Sequence, residues 1–341
     1  MLLISFGTRP EYIKIKPLLD AFAGKLPYAL LFTGQHTSLL KNAMWTPDIR
    51  QLNIRTGENR LDSIVESIMN NSRVFEDITS VMVQGDTTSA FAVALSAFHR
   101  KIDIIHLEAG LRTWDLKNPY PEEFNRQAIS RMAKIHLCPT ATSAENLRKE
   151  NITNHVHIVG NTVLDNLLGI QPNYGNTILI TMHRRENHDI MDKWFTEINN
   201  LAIAHPQYDF LLPLHPNPNV QKHRHLLKNV QVMHPLNHDD FIKILAECRF
   251  IITDSGGIQE EASFFRKKCI VCRKTTERTE GINVFSYLCA SPQELKEFFY
   301  FMDSDNTYMP APGSQCPYGD GTASQKILDL LAGIRDKKVN D

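Results

Sequence analysis

The 341 residues, 42% hydrophobic and 22% charged, have ordinary globular composition and enough length for two domains with separate cores, which excludes disordered, collagen-like and membrane-spanning classes. With 37 Lys and Arg against 38 Asp and Glu, the formal net charge of -1 gives no global basic field to recruit nucleic acid or an anionic membrane, so any anion site must be local. No apolar run approaches the roughly 20 residues needed to cross a bilayer, and MLLISFGTRP reaches Arg9 and Pro10 too soon for a signal peptide. A cytoplasmic protein is expected, with its six cysteines (Cys138, Cys248, Cys269, Cys272, Cys289, Cys316) reduced.

In chain order, the first half repeats one theme: a short β-branched run, a glycine or polar residue, then a helical stretch. LLISFGT, ALLFTGQ, SVMVQGD, DIIHLEA, IHLCPTA and HVHIVGN read as strands, with helices expected around 10–24, 60–72, 87–100, 121–134 and 142–150. That alternation predicts a parallel sheet covered on both faces. After GNTVLDNLLG, the aperiodic IQPNYGN breaks the theme, which restarts with TILITMH, DFLLPLH, VQVMHP, FIITDSG and CIVCRK. The expected fold class is α/β with two parallel-sheet domains, residues 1–168 and 169–341. A last helical stretch, roughly 322–337, could pack on either domain.

Nearly every expected strand ends in polar residues: GTRPE, GQH, GDTT, EAGLRT and GNT in the first half, then HRREN, HPNP, DSGGIQEE and RKTTER in the second. In open parallel sheets, ligands bind beyond the carboxyl ends of the strands, so these groups are expected to line one crevice between two facing sheets. Arg, His and Glu beside glycines set these loops apart from the Ser, Lys and Asn of idle ones.

In GTRPEYIK, Gly7 lets backbone approach a ligand, Pro10 suits a first helical turn, and Arg9 and Lys14 add charge to amides that favour an anion. A phosphate is the natural guest; a capped helix with two solvated cations is the alternative. DSGGIQEE repeats the logic, with Ser255, Gly256 and Gly257 as a second cradle and Glu261 one turn on, within reach of a ribose hydroxyl. Ser before Gly-Gly is also an ordinary N-cap. Neither G-x-G-x-x-G nor G-x-x-x-x-G-K-[ST] occurs, so NAD binding and ATP hydrolysis lose support.

Asp86, Glu108 and Glu122, from GDTT, LEAGLRT and PEEFNRQ, read as an acid–base set whose mutual repulsion should raise some of their pKa values. Helix capping is the plainer reading of Asp86 and Glu122. His183, beside Arg184 and Arg185, can hydrogen-bond or protonate a diphosphate leaving group, or belong to a surface basic turn. His215 has no assigned role. Cys269 and Cys272 form a lone CxxC, and H-E-x-x-H and G-x-S-x-G are absent, so no metal or serine-hydrolase site is expected.

Taken in order, GTRPE, GDTT, HLEAGLRT, PEEFNR, HRREN and DSGGIQEE resemble the non-hydrolysing UDP-N-acetylglucosamine 2-epimerases over most of the chain. The resemblance implies two Rossmann-like domains in the GT-B arrangement with a UDP-sugar substrate between them, a homodimer, and neither cofactor nor metal. It also implies interconversion of UDP-GlcNAc and UDP-ManNAc, feeding surface polysaccharide synthesis. The C2 proton has no adjacent carbonyl to acidify it, so in the family's mechanism UDP leaves C1 as that proton is removed. UDP then adds back to the 2-acetamidoglucal while C2 is reprotonated on the opposite face.

By the same resemblance, Asp86, Glu108 and Glu122 are the acid–base carboxylates, with the one that deprotonates C2 left open. His183 assists the departing UDP, and Arg9, Lys14 and Arg126 supply charge. Ser255, Gly256 and Gly257 hold phosphate, Glu261 the ribose, and Leu236 with Phe241 the uracil; a core position on an amphipathic helix is the alternative for Phe241. The chain departs from the family pattern in three places. Thr279 stands where the family reads Pro in T-E-R-P-E. Ser38 stands two positions after His36, where a long polar residue is common, near a second UDP-GlcNAc site that activates some bacterial members. The chain is also short for the family, leaving the region after Gly281 poorly matched. Competing readings are an epimerase of another UDP-2-acetamido sugar, a hydrolysing relative that frees N-acetylmannosamine, a GT-B glycosyltransferase, and an inactive UDP-sugar-binding protein. The extra carboxylates argue against the glycosyltransferase.

Overall fold

The computed structural model describes residues 1–35, 49–54, 57–304 and 307–340, with side chains to residue 334; His36 and Ser38 lie outside the described residues. Two compact units divide the chain: unit 1 is Met1–Asn166 with Gly319–Asp341, and unit 2 is Leu167–Tyr318. Residues 319–341, grouped by sequence with the second half, are thus part of unit 1.

Unit 1 runs β1 (Leu2–Phe6), α1 (Arg9–Phe22), β2 (Tyr28–Phe32), β3 (Ile49–Gln51), α2 (Arg60–Met69), β4 (Ser80–Gln84), α3 (Thr88–His99), β5 (Asp103–Leu107), α4 (Glu122–Met132), β6 (Ile135–Cys138), α5 (Ala141–Lys149) and β7 (Val156–Ile158). Its described strands form one parallel sheet in the order β3-β2-β1-β4-β5-β6-β7. Every residue of β1 is buried because both faces are covered. Leu2, Ile4 and Phe6 pack with Ile15, Leu18 and Phe22 of α1, whereas Leu3 turns to Ile64 and Ile68 of α2 and Val93 of α3. Each such side chain contributes about 1.5–3 kcal/mol by leaving water.

Local chemistry fixes how α1 begins and survives. Thr8 caps it and Glu11 closes a capping box, with Pro10 in the first turn where its missing N–H costs nothing. Pro17 lies inside the helix and cannot donate to the Ile13 carbonyl four residues back. Asn166 supplies the missing donor, its Nδ2 lying 3.0 Å from that oxygen.

Unit 2 runs β8 (Thr177–Thr181), α6 (Met191–Ala204), β9 (Asp209–Pro213), α7 (Pro218–Gln221), β10 (Gln231–Met233), α8 (His238–Glu247), β11 (Phe250–Thr253), α9 (Gly256–Phe264), β12 (Cys269–Val271), β13 (Ser286–Leu288) and α10 (Leu295–Asp303). Its strands are also parallel, in the order β10-β9-β8-β11-β12-β13. Trp194, Phe195, Phe210, Phe250 and Phe299 anchor its core. The last helix, α11 (Ala323–Asn340), packs on α1 through Ile327, Leu328 and Leu331, and the Asp165 carboxylate accepts from Ala323 N at 3.1 Å and Ser324 N at 2.7 Å at its start. The expected α/β class with two parallel sheets is the class observed.

Candidate active site

In each unit the strand order reverses beside the first strand, between β1 and β4 and between β8 and β11. Ligand-binding loops of doubly wound sheets gather there, beyond the strands' carboxyl ends. Several of the residues singled out from the sequence lie at these two places.

In unit 1, Lys14 reaches from α1 to set Nζ 2.6 Å from both carboxylate oxygens of Glu108, and Gln84 Nε2 also donates to Oε2 of Glu108. Glu108 follows β5 at a φ of 64°, a left-handed conformation that costs a residue with a side chain about 1–2 kcal/mol. Asp86 follows β4 and pairs at 2.5 Å with Arg126 Nη2 of α4, while its carbonyl accepts Asn125 Nδ2 at 2.9 Å. Asp86 and Glu108 are therefore each neutralised by a cation, where the sequence led us to expect repelling carboxylates. Gly85 joins the two pairs: a Cβ there would lie 3.6 Å from Glu108 Oε2. Glu122 opens α4 half-buried, and Arg9 is exposed at the first position of α1.

Two carboxylates that sequence reasoning missed hold these loops. Glu11 is buried and accepts from Gly7 N at 3.1 Å, Thr8 N at 2.7 Å and Thr87 Oγ1 at 2.9 Å, tying the β1–α1 turn to the cap of α3. Burial raises its pKa, and the hydrogen bonds from Thr8 and Thr87 work against that shift. The amides of Gly7 and Thr8 thus meet the helix's own carboxylate, and the positive charge this turn can offer a ligand comes from Arg9 and Lys14. Glu123, fully buried beside the sequence candidate Glu122, accepts from Thr113 N at 3.0 Å and Trp114 N at 3.2 Å and faces Arg126 Nη1 at 3.3 Å. Its capping-like signal was visible only as a second Glu at the start of a helix.

In unit 2, the organiser is Asp254, fully buried at the tip of β11. It accepts from His183 N at 3.0 Å, Arg184 N at 2.9 Å and Asn187 Nδ2 at 3.1 Å, so the turn after β8 is wrapped around one carboxylate. The His183 ring stacks on His215 with centroids 5.3 Å apart, which gives His215 a packing role. Burial lowers the pKa of His183, outweighing the upward pull of Asp254, while Arg184 and His215 push it further down. Such a shift favours the neutral form of the ring.

Ser255 occupies the N-cap of α9, yet its side chain makes no capping hydrogen bond. A Cβ on Gly256 would meet Glu277 Oε1 at 2.8 Å, Arg278 Nη1 at 3.2 Å and Arg184 Nη2 at 3.4 Å, whereas nothing lies within 4 Å of one on Gly257. The start of α9 is therefore an uncapped helix terminus with two guanidiniums beside it, the arrangement that suits an anion. Arg278, which sequence reasoning missed, is held by Glu260 Oε1 at 3.0 Å and by Glu277. Thr279 begins a short 3-10 helix, a position where the family's proline would also fit. Glu261 is buried with Oε1 2.9 Å from His238 Nε2, while Leu236, just before α8, and Phe241, on it, are half-buried, unlike the buried Ile242 and Leu245 of that helix.

Among the described residues, no group of three or more His, Cys, Asp or Glu is placed to hold a metal ion, and no helix is long and apolar enough to cross a membrane. Cys269 and Cys272 are buried, which pushes both thiols' pKa values well up.

Two doubly wound α/β units, each concentrating charge where its strand order reverses, give the chain the GT-B-like fold class of its solved relatives. The sequence model of UDP-N-acetylglucosamine 2-epimerase matches residues 22–332, so the match continues past Gly281, where it was expected to weaken. The Campylobacter jejuni UDP-N-acetylglucosamine 2-epimerase is 38% identical over 97% of this chain and 97% of its own. The UDP-GlcNAc 2-epimerase of Neisseria meningitidis, solved bound to UDP-GlcNAc, is 34% identical with a TM-score of 0.88 over 97% of this chain and 99% of that one. An S. aureus protein solved with UDP has a TM-score of 0.89 at 31% identity, covering 98% of this chain and 96% of that one. The chain belongs to the UDP-N-acetylglucosamine 2-epimerase family, whose members are isomerases.

Proposed function

We propose that the protein interconverts UDP-GlcNAc and UDP-ManNAc by eliminating and re-adding UDP. The C1–O bond breaks with its electron pair going to UDP while a base takes the C2 proton, leaving a 2-acetamidoglucal; UDP then re-forms the C1–O bond as C2 receives a proton on the other face. No net oxidation occurs. The observation that carries the reading is the carboxylate Glu108, held in a strained left-handed conformation by Lys14 and Gln84 beside the Asp86–Arg126 pair.

Asp86, Glu108 and Glu122 handle the proton in this proposal, with Lys14, Arg9 and Arg126 supplying charge. Neutral His183 donates to the leaving diphosphate, which the start of α9 receives on Ser255, Gly256 and Gly257 beside Arg184 and Arg278. Glu261 takes the ribose and Leu236 with Phe241 the uracil. The binding of UDP-GlcNAc and UDP by the two solved relatives supports this assignment of ligand. The resemblance extends the proposal to a cytoplasmic homodimer whose product serves surface polysaccharide synthesis.

Incubation with UDP-GlcNAc in D2O, followed by proton NMR, tests the reaction. Deuterium should enter C2 with UDP still attached. Free UDP with N-acetylmannosamine would make it a hydrolysing enzyme, and no exchange would mean another substrate. Glu108→Gln should abolish turnover while keeping UDP affinity within about twofold; unchanged turnover would remove Glu108 from the mechanism.

A further inference from the structure

His106, on β5, is fully buried, and its Nε2 lies 2.8 Å from the carbonyl oxygen of Gly85. A carbonyl only accepts, so the ring must carry its proton on Nε2, which leaves Nδ1 as a bare lone pair. Nδ1 is buried and has no hydrogen-bond partner in the structure. A second proton there would be a buried, unpartnered charge; the titratable and charged groups whose fields reach the ring are His136, Arg112 and Glu108. Burial pushes the pKa of His106 down to about 3, and His136 and Arg112 add to the effect against the opposing pull of Glu108. The ring is thus a single fixed donor that does not exchange protons near neutrality.

What it holds is the junction of the two carboxylate pairs. Gly85 has a φ of 68° and donates its own N–H to Leu107 O at 2.9 Å, so both of its backbone polar groups are tied to β5. The residue before it is Gln84, whose amide grips Glu108; the residue after it is Asp86, on Arg126. We propose that His106 is a positioning residue: by fixing the Gly85 carbonyl it sets the separation and aim of Asp86 and Glu108 for the proton transfers. This rests on the reading of those two carboxylates as the acid–base pair.

His106→Leu removes the donor, and His106→Gln places an N–H near the position of Nε2. The Leu variant should lose 10- to 100-fold in kcat for UDP-GlcNAc epimerisation with KM within about twofold, and the Gln variant should regain most of the loss. Full activity in His106→Leu overturns the proposal. So does a Gln variant as slow as the Leu variant, the result expected if the imidazole itself carried the proton. Glu108→Gln measured alongside separates the two ideas: an inactive Glu108→Gln with a fully active His106→Leu defeats only the positioning role, whereas an active Glu108→Gln defeats the reading beneath it. Should His106→Leu not fold, the 15N imidazole signals of the wild-type protein decide. His106 should keep the neutral Nε2–H pattern from pH 5 to 9, and titration within that range overturns the assignment.

Discussion

Gly256 and Gly257 are neighbours with opposite surroundings, and the difference makes the proposed phosphate contact testable one residue at a time. A methyl group on Gly256 would strike Glu277 and two guanidiniums, while one on Gly257 would meet nothing within 4 Å beyond its chain neighbours and its own helix backbone. Helix propensity favours alanine over glycine by up to about 1 kcal/mol, so Gly257→Ala should leave the thermal midpoint unchanged or raise it. If the diphosphate fills that space, the same variant should bind UDP at least 10-fold more weakly by calorimetry, a loss of about 1.4 kcal/mol. Undiminished UDP affinity would take the phosphate off Gly257. At this scale the sequence reveals residue types but not their allegiance. Glu122 and Glu123 are adjacent and equivalent on paper, yet one helical step of about 100° puts Glu123 fully inside, against two backbone amides. Glu11 and Asp254 were equally hidden inside motifs read for their neighbours, because their partners lie on other elements.

Strands with β-branched runs and glycine tips were legible because both faces of a parallel sheet must be apolar and its ends must turn. The edge strands β3 and β13 were not: IRQ and SYL are three residues each and lack the paired β-branched residues that marked the equally short edge strands β7 and β10. The central strands carry a less visible feature, the buried histidines His106 of β5 and His136 of β6, whose pKa values burial lowers. An unfolded chain protonates an imidazole near pH 6.5, whereas folded His106 resists until about 3. As pH falls below 6.5, the unfolded state gains a proton that the folded state refuses. Stability that is complete above pH 6.5 therefore declines by about 1.4 kcal/mol per pH unit for His106 and levels off near pH 3. Between pH 7 and pH 5, scanning calorimetry should find that wild type loses about 2 kcal/mol more than His106→Gln, whose side chain does not titrate. Equal losses in the two proteins would mean that folded His106 accepts the proton after all.

Across the whole chain, unit 2 is one continuous segment set between two parts of unit 1, and α11 carries the return. Its apolar stripe alone could not say which core it joins; the deciding contact is Asp165, whose carboxylate meets the first amides of α11 from 158 residues away in sequence. The division also separates the chemistry. Unit 1 holds the paired carboxylates, and unit 2 holds the uncapped start of α9, Glu261 and Phe241. If that division of labour is right, the nucleotide alone should be felt in unit 2. UDP at 100 times its Kd stabilises what it binds by about 2.7 kcal/mol, which slows hydrogen exchange about 100-fold for amides released only by opening of that region. Protection from UDP is therefore expected over residues 183–187, 236–241 and 254–261, whereas residues 84–88 and 106–113 should respond only when the sugar nucleotide is intact. Protection by UDP confined to the unit 1 segments would move the diphosphate away from α9 and make Lys14 and Arg9 its principal partners.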